Sequence, residues 1–340
     1  MTRRPTIPLP EGCDPNSIVL SFPVAREQAG QRLDRFIQGR IPRLSRTRAN
    51  EIVRAAAYRE DGTRRRPSDR VRYGETIFII RPPFEEPDAP QDFGVLYEDE
   101  DLLAVDKPAG LPVHPSASYH RNTLTQLLRD RYGRPTPQIA HRLDKETSGV
   151  LVCGKTPEAE RALKRAFEDR RVDKTYQAIV RGELERDEGR IDAAMARPEQ
   201  GFHLLMEVRS EEEGGLPAIT DYRVLGRRGG LSLVELYPIS GRQHQLRVHL
   251  AHLGHPIVGD KLYGPEGHGL FFEVLERGMT PDLLTRLGLE RQALHASALT
   301  VPHPKSGKMI TIRAKLPDDM QNLWENGLPS CSTESEVSSP

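Results

Sequence analysis

The segment Ala140-His-Arg-Leu-Asp-Lys-Glu-Thr-Ser-Gly-Val-Leu-Val152 concentrates ionisable side chains just before an apolar run. Asp144 lies five residues before Gly149, where the chain turns into that run. A carboxylate at the mouth of a strand can project into a cleft and act on a ligand. The same residue types also allow a purely structural arrangement. Asp144 could pair with Arg142 or Lys145, or close an Asx-turn. Residue chemistry alone leaves both open. A second concentration, Gly241-Arg-Gln-His-Gln-Leu-Arg-Val-His249, supplies Arg247 and continues to His252 and His255. His249 and His252 stand at i, i+3 on a predicted helix, which invites a metal reading. However, no HExxH occurs, and no cysteine or acid completes a familiar ligand set. No metal is expected, and His244, His249, His252 and His255 are expected to make polar contacts around Arg247. A glycosidase would need a second carboxylate working with Asp144, and none stands in a matching motif.

These residues need elements to hold them. Gly149–Lys155 reads as a buried strand, and Leu102–Val105 as another running into Asp106-Lys-Pro-Ala-Gly110. Pro157 opens a helix with Ala159, Ala162, Leu163, Ala166 and Phe167 on one face. Thr175–Val180 and Leu231–Tyr237 are predicted strands, and Gln243–Leu253 a helix stopped by Gly254. Ala296–Val301 and Met309–Ala314 read as a late hairpin. Helices interleave irregularly with strands and hairpins, which indicates an α+β fold. Upstream, Ile18–Val24 reads as a strand, and Leu33-Asp-Arg-Phe-Ile37 has a helical period. Ser45 is a candidate N-cap for a helix to about Ala57. Asp61-Gly62 marks a turn, and Thr76–Ile80 a closing strand. Arg81–Pro90 holds four prolines, unsuited to a helix or central strand, and is the best linker in the chain. The expected organisation is a flexible segment 1–16, a small domain 17–81, a linker 82–92, a large domain 93–317 and an acidic, Ser-rich, disordered tail 318–340.

The 340 residues carry 49 basic and 49 acidic side chains, so the formal net charge is zero. With 36% hydrophobic and 29% charged residues, the chain can build a core. The zero conceals a division. Residues 1–81 hold 17 Arg and no Lys against 9 acids, net +8. Residues 318–340 hold 5 acids and no basic residue, and the remainder is −3. At a Debye length of about 8 Å, distant charges do not cancel locally. The N-terminal unit can present an Arg-rich surface suited to phosphate, or simply a solvated charged face. The three cysteines are scattered and form no CxxC pair, so a reducing cytoplasm is expected. The N-terminus lacks the apolar stretch of a secretory signal, and no apolar run approaches a membrane span.

Two resemblances sharpen these readings. Gly30-Gln-Arg-Leu-Asp-Arg-Phe-Ile37, Leu44-Ser-Arg-Thr-Arg48, Asp61-Gly62 and Arg72-Tyr-Gly-Glu-Thr-Ile77 resemble the S-four-type RNA-binding domain. The resemblance departs from that pattern at Arg54–Arg59, where a Gly and a Val-Asn-Gly turn are usual. It implies that the second helix and its preceding loop face RNA, which makes Arg43, Arg46, Arg48 and Arg54 the candidate contacts. His141-Arg-Leu-Asp-Lys-Glu-Thr-Ser-Gly149 resembles the signature of the RluA-like pseudouridine synthases. Three further blocks of that family follow its order: Asp106–Gly110, Lys174-Thr-Tyr176 and Gly241–His249. Family-like stretches continue in His252–Asp260 and Leu294-His-Ala296, so the likeness covers about residues 95–317.

The resemblance implies a pseudouridine synthase fold, with a mixed, largely antiparallel sheet, flanking helices and a central cleft. It also implies isomerisation of uridine to pseudouridine in RNA, without cofactor. The N1–C1′ bond breaks, the uracil rotates, and C5 joins C1′. By match to the motifs, Asp144 would be the catalytic carboxylate, either attacking C1′ or removing a sugar proton. Arg247 would keep it charged and aimed once solvent is excluded. Tyr176 would stack on uracil or help move the C5 proton, and Leu246 would pack on the base. His141 and Arg142 would contact substrate, with Arg142 filling the space of the extruded nucleotide. Large-subunit ribosomal RNA is the expected partner and tRNA the alternative, with the protein monomeric. An RNA-binding assembly factor without catalysis would show a broken Asp144, Tyr176 or Arg247, and all three are present.

Overall fold

The computed structural model describes residues 9–10, 13, 17–41, 44–82, 86–116, 118–199, 202 and 204–329. The chain divides into two compact units, 1–85 and 86–340. In the first, strands β1 (Ile18–Pro23), β2 (Ala57–Tyr58) and β3 (Thr76–Arg81) form an antiparallel sheet in the order β1-β3-β2. Helices α1 (Leu33–Arg40) and α2 (Arg46–Ala56) pack on it. Their helical spacing places Leu33, Phe36, Ile37 and Val53 against Ile77 and Ile79 of the central strand. Ser45 caps α2, its Oγ accepting from the Arg48 N–H at 3.1 Å. The Asp61-Gly62 turn is closed by the Thr63 N–H donating to Asp61 Oδ1, with Gly62 at φ +80°. Arg43 and most of the segment 1–16 lie outside the described residues.

The second unit contains strands β4 (Gly94–Glu98), β5 (Leu102–Lys107), β6 (Gln138–Ile139), β7 (Ser148–Gly154), β8 (Asp173–Arg181), β9 (Glu188–Asp192), β10 (Met195–Ala196), β11 (Glu207–Val208), β12 (Ile219–Arg228), β13 (Leu231–Pro238), β14 (Leu294–Pro302) and β15 (Met309–Arg313). Its helices are α3 (Leu124–Tyr132), α4 (Pro157–Glu168), α5 (Gln245–His252), α6 (Gly269–Arg277), α7 (Pro281–Leu287) and α8 (Asp318–Asn326). The large sheet runs β4-β5-β7-β14-β8-β13-β12-β9, with β15 beside β14 and β6 beside β7. Among the described residues only β7 and β14 pair in parallel, through Ser148↔His295 and Gly149↔Ala296. They join two antiparallel halves at their own N-terminal ends, so the loops leading into both strands lie side by side.

Alternation along the strands buries both faces of the sheet. Leu102, Ala104, Val150 and Val152 meet Leu163 and Ala166 of α4. Leu103, Val105, Leu151 and Cys153 meet Leu124 and Leu128 of α3. In the other half, Ala178, Val234 and Leu236 pack with Leu246 and Leu250 of α5.

The expectation of a disordered tail from Asp318 needs correcting. Residues Asp318–Asn326 form α8, which buries Met320 and Leu323 against that same core. Each such side chain contributes about 1.5–3 kcal/mol on burial. Asp318 and Asp319 sit in the helix's first turn, where the dipole favours them. Asp319 also accepts two hydrogen bonds from Arg291, at 2.6 and 2.8 Å. Residues 330–340 lie outside the described residues.

Gly149 is where the two halves touch most closely. Its φ is +110°, and a Cβ there would lie 2.2 Å from the Ala296 carbonyl oxygen. Gly149→Ala is expected to destabilise the protein by about 3 kcal/mol or more. A urea midpoint matching the parent would contradict this account of the junction.

Candidate active site

Asp144 occupies the turn entering β7, which the Thr147 N–H closes by donating to the Asp144 carbonyl at 3.2 Å. Three elements anchor this turn. The Lys107 ammonium, fully buried at the end of β5, donates to the carbonyls of Pro108, Leu111 and Lys145 at 2.8–3.0 Å. Burial, and then Arg291, push Lys107 down to about 7. Glu146 accepts from Lys261 Nζ at 2.7 Å and from the Gln292 N–H at 3.3 Å. Thr147 Oγ1 accepts from Gln292 Nε2 at 2.8 Å. With its backbone fixed on several sides, the Asp144 side chain has one direction to take.

That direction is towards Arg247. Arg247 Nη1 donates to Asp144 Oδ2 at 3.1 Å. Its Nε and Nη2 donate to Asp260 Oδ2 and Oδ1 at 2.7 and 2.8 Å, a two-point fork. Asp260 also accepts the backbone N–H groups of Leu262 and Tyr263. The side chains of Asp260 and Arg247 are 1% and 7% exposed, and that of Asp144 is 23% exposed. The charge chain therefore runs from the interior to an accessible carboxylate. Burial opposes the Asp260 charge, but Arg247 and the two N–H groups outweigh it and hold its carboxyl below the usual range. Burial likewise opposes the Arg247 charge, and Asp260 overcomes it, so the guanidinium is held above its ordinary value.

A second layer lines the same pocket. The Tyr263 ring centroid lies 5.0 Å from the Arg247 guanidinium carbon. The Tyr263 hydroxyl accepts from the Met206 N–H and lies 2.8 Å from His244 Nδ1. Tyr263 is pushed up to about 12, chiefly by burial, so the hydroxyl keeps its proton. With the Met206 N–H already on its oxygen, that proton is free to go to Nδ1. The other His244 nitrogen, Nε2, would then carry its hydrogen 3.9 Å from Asp144 Oδ2. His244 holds φ +56°, a left-handed conformation uncommon for a non-glycine residue. The predicted helix 243–253 therefore begins only at Gln245, whose Oε1 accepts from the Arg242 N–H at 3.0 Å.

Tyr176 reaches the site from β8. Between His295 and Ala298 of β14 the register against β8 slips, so Tyr176 faces the bulged pair Ala296-Ser297. Its ring packs against the cores of both halves of the sheet. Burial, then Asp144, raise its hydroxyl above the ordinary tyrosine value. At neutral pH it is a phenol, suited to stacking or donating and poor as a base. Leu246 is buried in the α5 core contact beside Arg247.

The four family-like blocks thus converge on the Asp144 turn: Lys107 supports it, Arg247 bonds Asp144, Tyr176 lies close enough for the Asp144 charge to act on its hydroxyl, and Leu246 precedes Arg247 on α5. His141 does not join them. Its Nε2 accepts the Val152 N–H at 3.1 Å and its ring stacks on Phe167 at 4.5 Å, which occupies it in holding β7 to α4. Arg142 is exposed on the flank of the turn, and Lys145 turns to the Tyr119 hydroxyl at 3.1 Å. Neither takes the Asp144 carboxylate, so the local pairing that the residues allowed does not form. Of the four histidines, His244 alone is placed beside the Arg247 pair. His249 bridges Thr220 and the Ala193 carbonyl, and His255 lies on the Arg181 carbonyl. Asp260 and Tyr263 had no role in the sequence reading. The signal for Asp260 was its place in the His252–Asp260 stretch.

The RNA pseudouridylate synthase sequence pattern matches residues 101–252. A ribosomal large subunit pseudouridine synthase D of Xanthomonas campestris pv. campestris is 40% identical over 303 residues, covering 87% of this chain and 88% of that protein. The protein of that name from Nitrosomonas europaea is 35% identical, covering 92% and 89%. Among solved structures, human RNA pseudouridylate synthase domain containing 1 is 30% identical with a TM-score of 0.54, covering 68% of this chain and 86% of that one. The chain belongs to the RNA pseudouridylate synthase family. As an RNA pseudouridine synthase it is an isomerase, and its large mixed sheet with flanking helices is the fold shared with those solved structures. Among the described residues of this pseudouridine synthase, no helix is long and apolar enough to cross a membrane.

The neutral histidines of the fold set an acid limit. His244 and His295 are pushed down to about 4, and His141 to about 3, in each case chiefly by burial. Their ordinary value is 6.5, so as pH falls below that the unfolded chain binds protons that the folded chain refuses. The histidine contribution to stability is therefore expected to be complete above about pH 6.5 and to be lost progressively towards pH 4. His295 contacts Ser148 Oγ at 2.9 Å away from the reacting pocket. His295→Gln should flatten this limb in melting curves taken across the window, and an unaltered limb would count against the assignment.

Proposed function

We propose that this enzyme isomerises uridines of large-subunit ribosomal RNA, with Asp144 as the catalytic carboxylate. The observation that carries the assignment is the Arg247 Nη1 to Asp144 Oδ2 bond, made by a guanidinium whose other donors are fixed on Asp260. One Asp144 oxygen is held while the carboxylate stays accessible, which suits attack at C1′ or abstraction of a sugar proton. A flipped uridine is required, because stacking in a helix blocks C1′ and the faces of the base. In this reading the half-buried Tyr176 ring packs on the uracil, backed by the buried Leu246. Excluding water there strengthens the pull of Arg247 on Asp144 when the base is bound. The exposed Arg142, in this reading, fills the vacated stack and offsets part of the unstacking cost of a few kcal/mol. The ribosomal target rests on the names of the relatives and on coverage of nearly their full length.

The N-terminal unit serves as an S-four-type RNA-binding domain in this reading. Its three-stranded sheet under two helices supports that, as do the exposed arginines of α2. Arg46 opens the helix, Arg48 pairs with Glu51 at 2.8 Å, and Arg54 reaches Asn50 at 3.4 Å. These contacts are on an exposed face and weak enough to exchange for phosphate.

Two measurements test the reading. Asp144→Asn keeps the shape and removes the charge, and should lower the rate of pseudouridine formation by at least about 10³-fold, or about 4 kcal/mol of barrier. Activity near the parent level in that variant would sink the assignment. Replacing Arg46, Arg48 and Arg54 together by Gln should reduce the slope of log K against log salt by about 2, at roughly 0.7 per contact. An unchanged slope would show that α2 does not grip RNA.

A further inference from the structure

A cavity of about 740 Å³ lies beside the catalytic turn, bounded by α3, the loop from Arg134 to Arg142, and the N-terminus of α4. Five cations line it: Arg129, Arg134, Arg142, Lys155 and Lys164. Glu160 is its one carboxylate. Lys164 pairs with Glu160 at 2.6 Å, Lys155 with Glu98 at 2.8 Å, and Arg129 reaches Gln126 at 3.2 Å. Among the described residues, Arg134 and Arg142 have no ion-pair partner. Thr156 and Pro157, at the start of the twelve-residue α4, add the positive end of a helix dipole to the same wall. His114, also in the lining, is held below its ordinary value by burial and then by Arg142 and Lys164. These groups therefore face one space and share one positive field.

We propose that this cavity binds the phosphodiester backbone of the RNA strand flanking the target uridine. The proposal rests on the reading of Asp144 as the catalytic carboxylate. Arg142 stands two residues before Asp144, a reach of at most ~7 Å along the chain, so a strand whose nucleotide enters the site passes this wall. The volume lies within the range of sites that hold drug-sized ligands, enough for a nucleotide unit. No Phe, Tyr or Trp lines the cavity, and Thr136, Pro137 and Ile139 are among its lining residues. Such a surface is better suited to gripping charge than to stacking a base. It would position the strand without reading sequence, as phosphate contacts do. Glu160 tempers the field, so it has the opposite sign of effect from the arginines.

The test uses the full chain with an unmodified transcript of the source organism's large-subunit ribosomal RNA. Binding is measured across about 50–300 mM salt, and Arg129→Gln with Arg134→Gln should lower the salt slope by about 1.4 and raise Kd about tenfold. The rate at saturating RNA should stay at the parent level, because neither residue touches the reacting atoms. Glu160→Gln should tighten binding, an opposite shift that loss of structure would not produce. An unchanged slope in the double variant, or weaker or equal binding in Glu160→Gln, would overturn the proposal. A site for free inorganic phosphate alone would appear as that unchanged RNA slope. Failure of the parent enzyme to form pseudouridine would sink the functional reading instead, and the binding comparison would still decide this one.

Discussion

Arg247 is clamped between a fully buried carboxylate and an accessible one, and the rest of the site depends on that clamp. An isolated guanidinium at this depth would be too costly to retain. Asp260 makes it tolerable through the two-point fork, and the N–H groups of Leu262 and Tyr263 in turn satisfy Asp260. Truncating one partner of such a buried pair typically costs about 3–5 kcal/mol, because the survivor is left uncompensated. Asp260 is thus the fixed end of a charged bar and Asp144 its accessible end. Three ordinary side chains become a rigid device only because the inner pair cannot rearrange.

The sheet explains how residues far apart in sequence meet with that rigidity. The parallel contact, β7 against β14, brings the turn holding Asp144 next to the segment Glu290–Ala293. The same point on β14 carries the bulge that Tyr176 faces from β8. Gly149 allows the close approach, since any Cβ would meet the Ala296 carbonyl. Arg247 arrives from α5, whose Leu246 and Leu250 are bound into the second half of the core. The cleft is therefore a seam between two antiparallel halves. Its geometry is set by backbone registers, which are far stiffer than loops.

Much of this was legible in the sequence, and the exceptions have physical causes. The helical period of α4, the apolar run of β7 and the glycine stop after α5 located these elements to within about two residues. Ser45 announced its cap by residue type alone. The acidic α8 was missed because only Met320, Leu323 and the half-buried Trp324 anchor it, too few apolar residues to stand out in a polar stretch. The Asp144 partner was unreadable from spacing, since Arg142 and Lys145 are nearer in sequence than Arg247, 103 residues away. What excluded them was tertiary: Lys145 is drawn to Tyr119, and Arg142 faces outward. The left-handed His244 is likewise invisible in a sequence, because a strained backbone depends on surroundings that hold it.

The zero net charge is a last instance of position overriding sum. In the N-terminal unit, Arg65 is buried and donates to Asp69, Glu75 and the Arg70 carbonyl. Arg32 is engaged with Asp34, which also accepts from Asn50. These arginines hold the fold and offer little to a ligand. The arginines left on the exposed face of α2 make only local, weak pairs. In the second unit, residues 86–340, the net charge is −7, yet five cations share one cavity while Arg247 is fully committed to two carboxylates. Screening over about 8 Å keeps these regions independent. An anion arriving from solvent therefore meets exposed arginines and lysines, while the buried guanidinium meets only its two carboxylates.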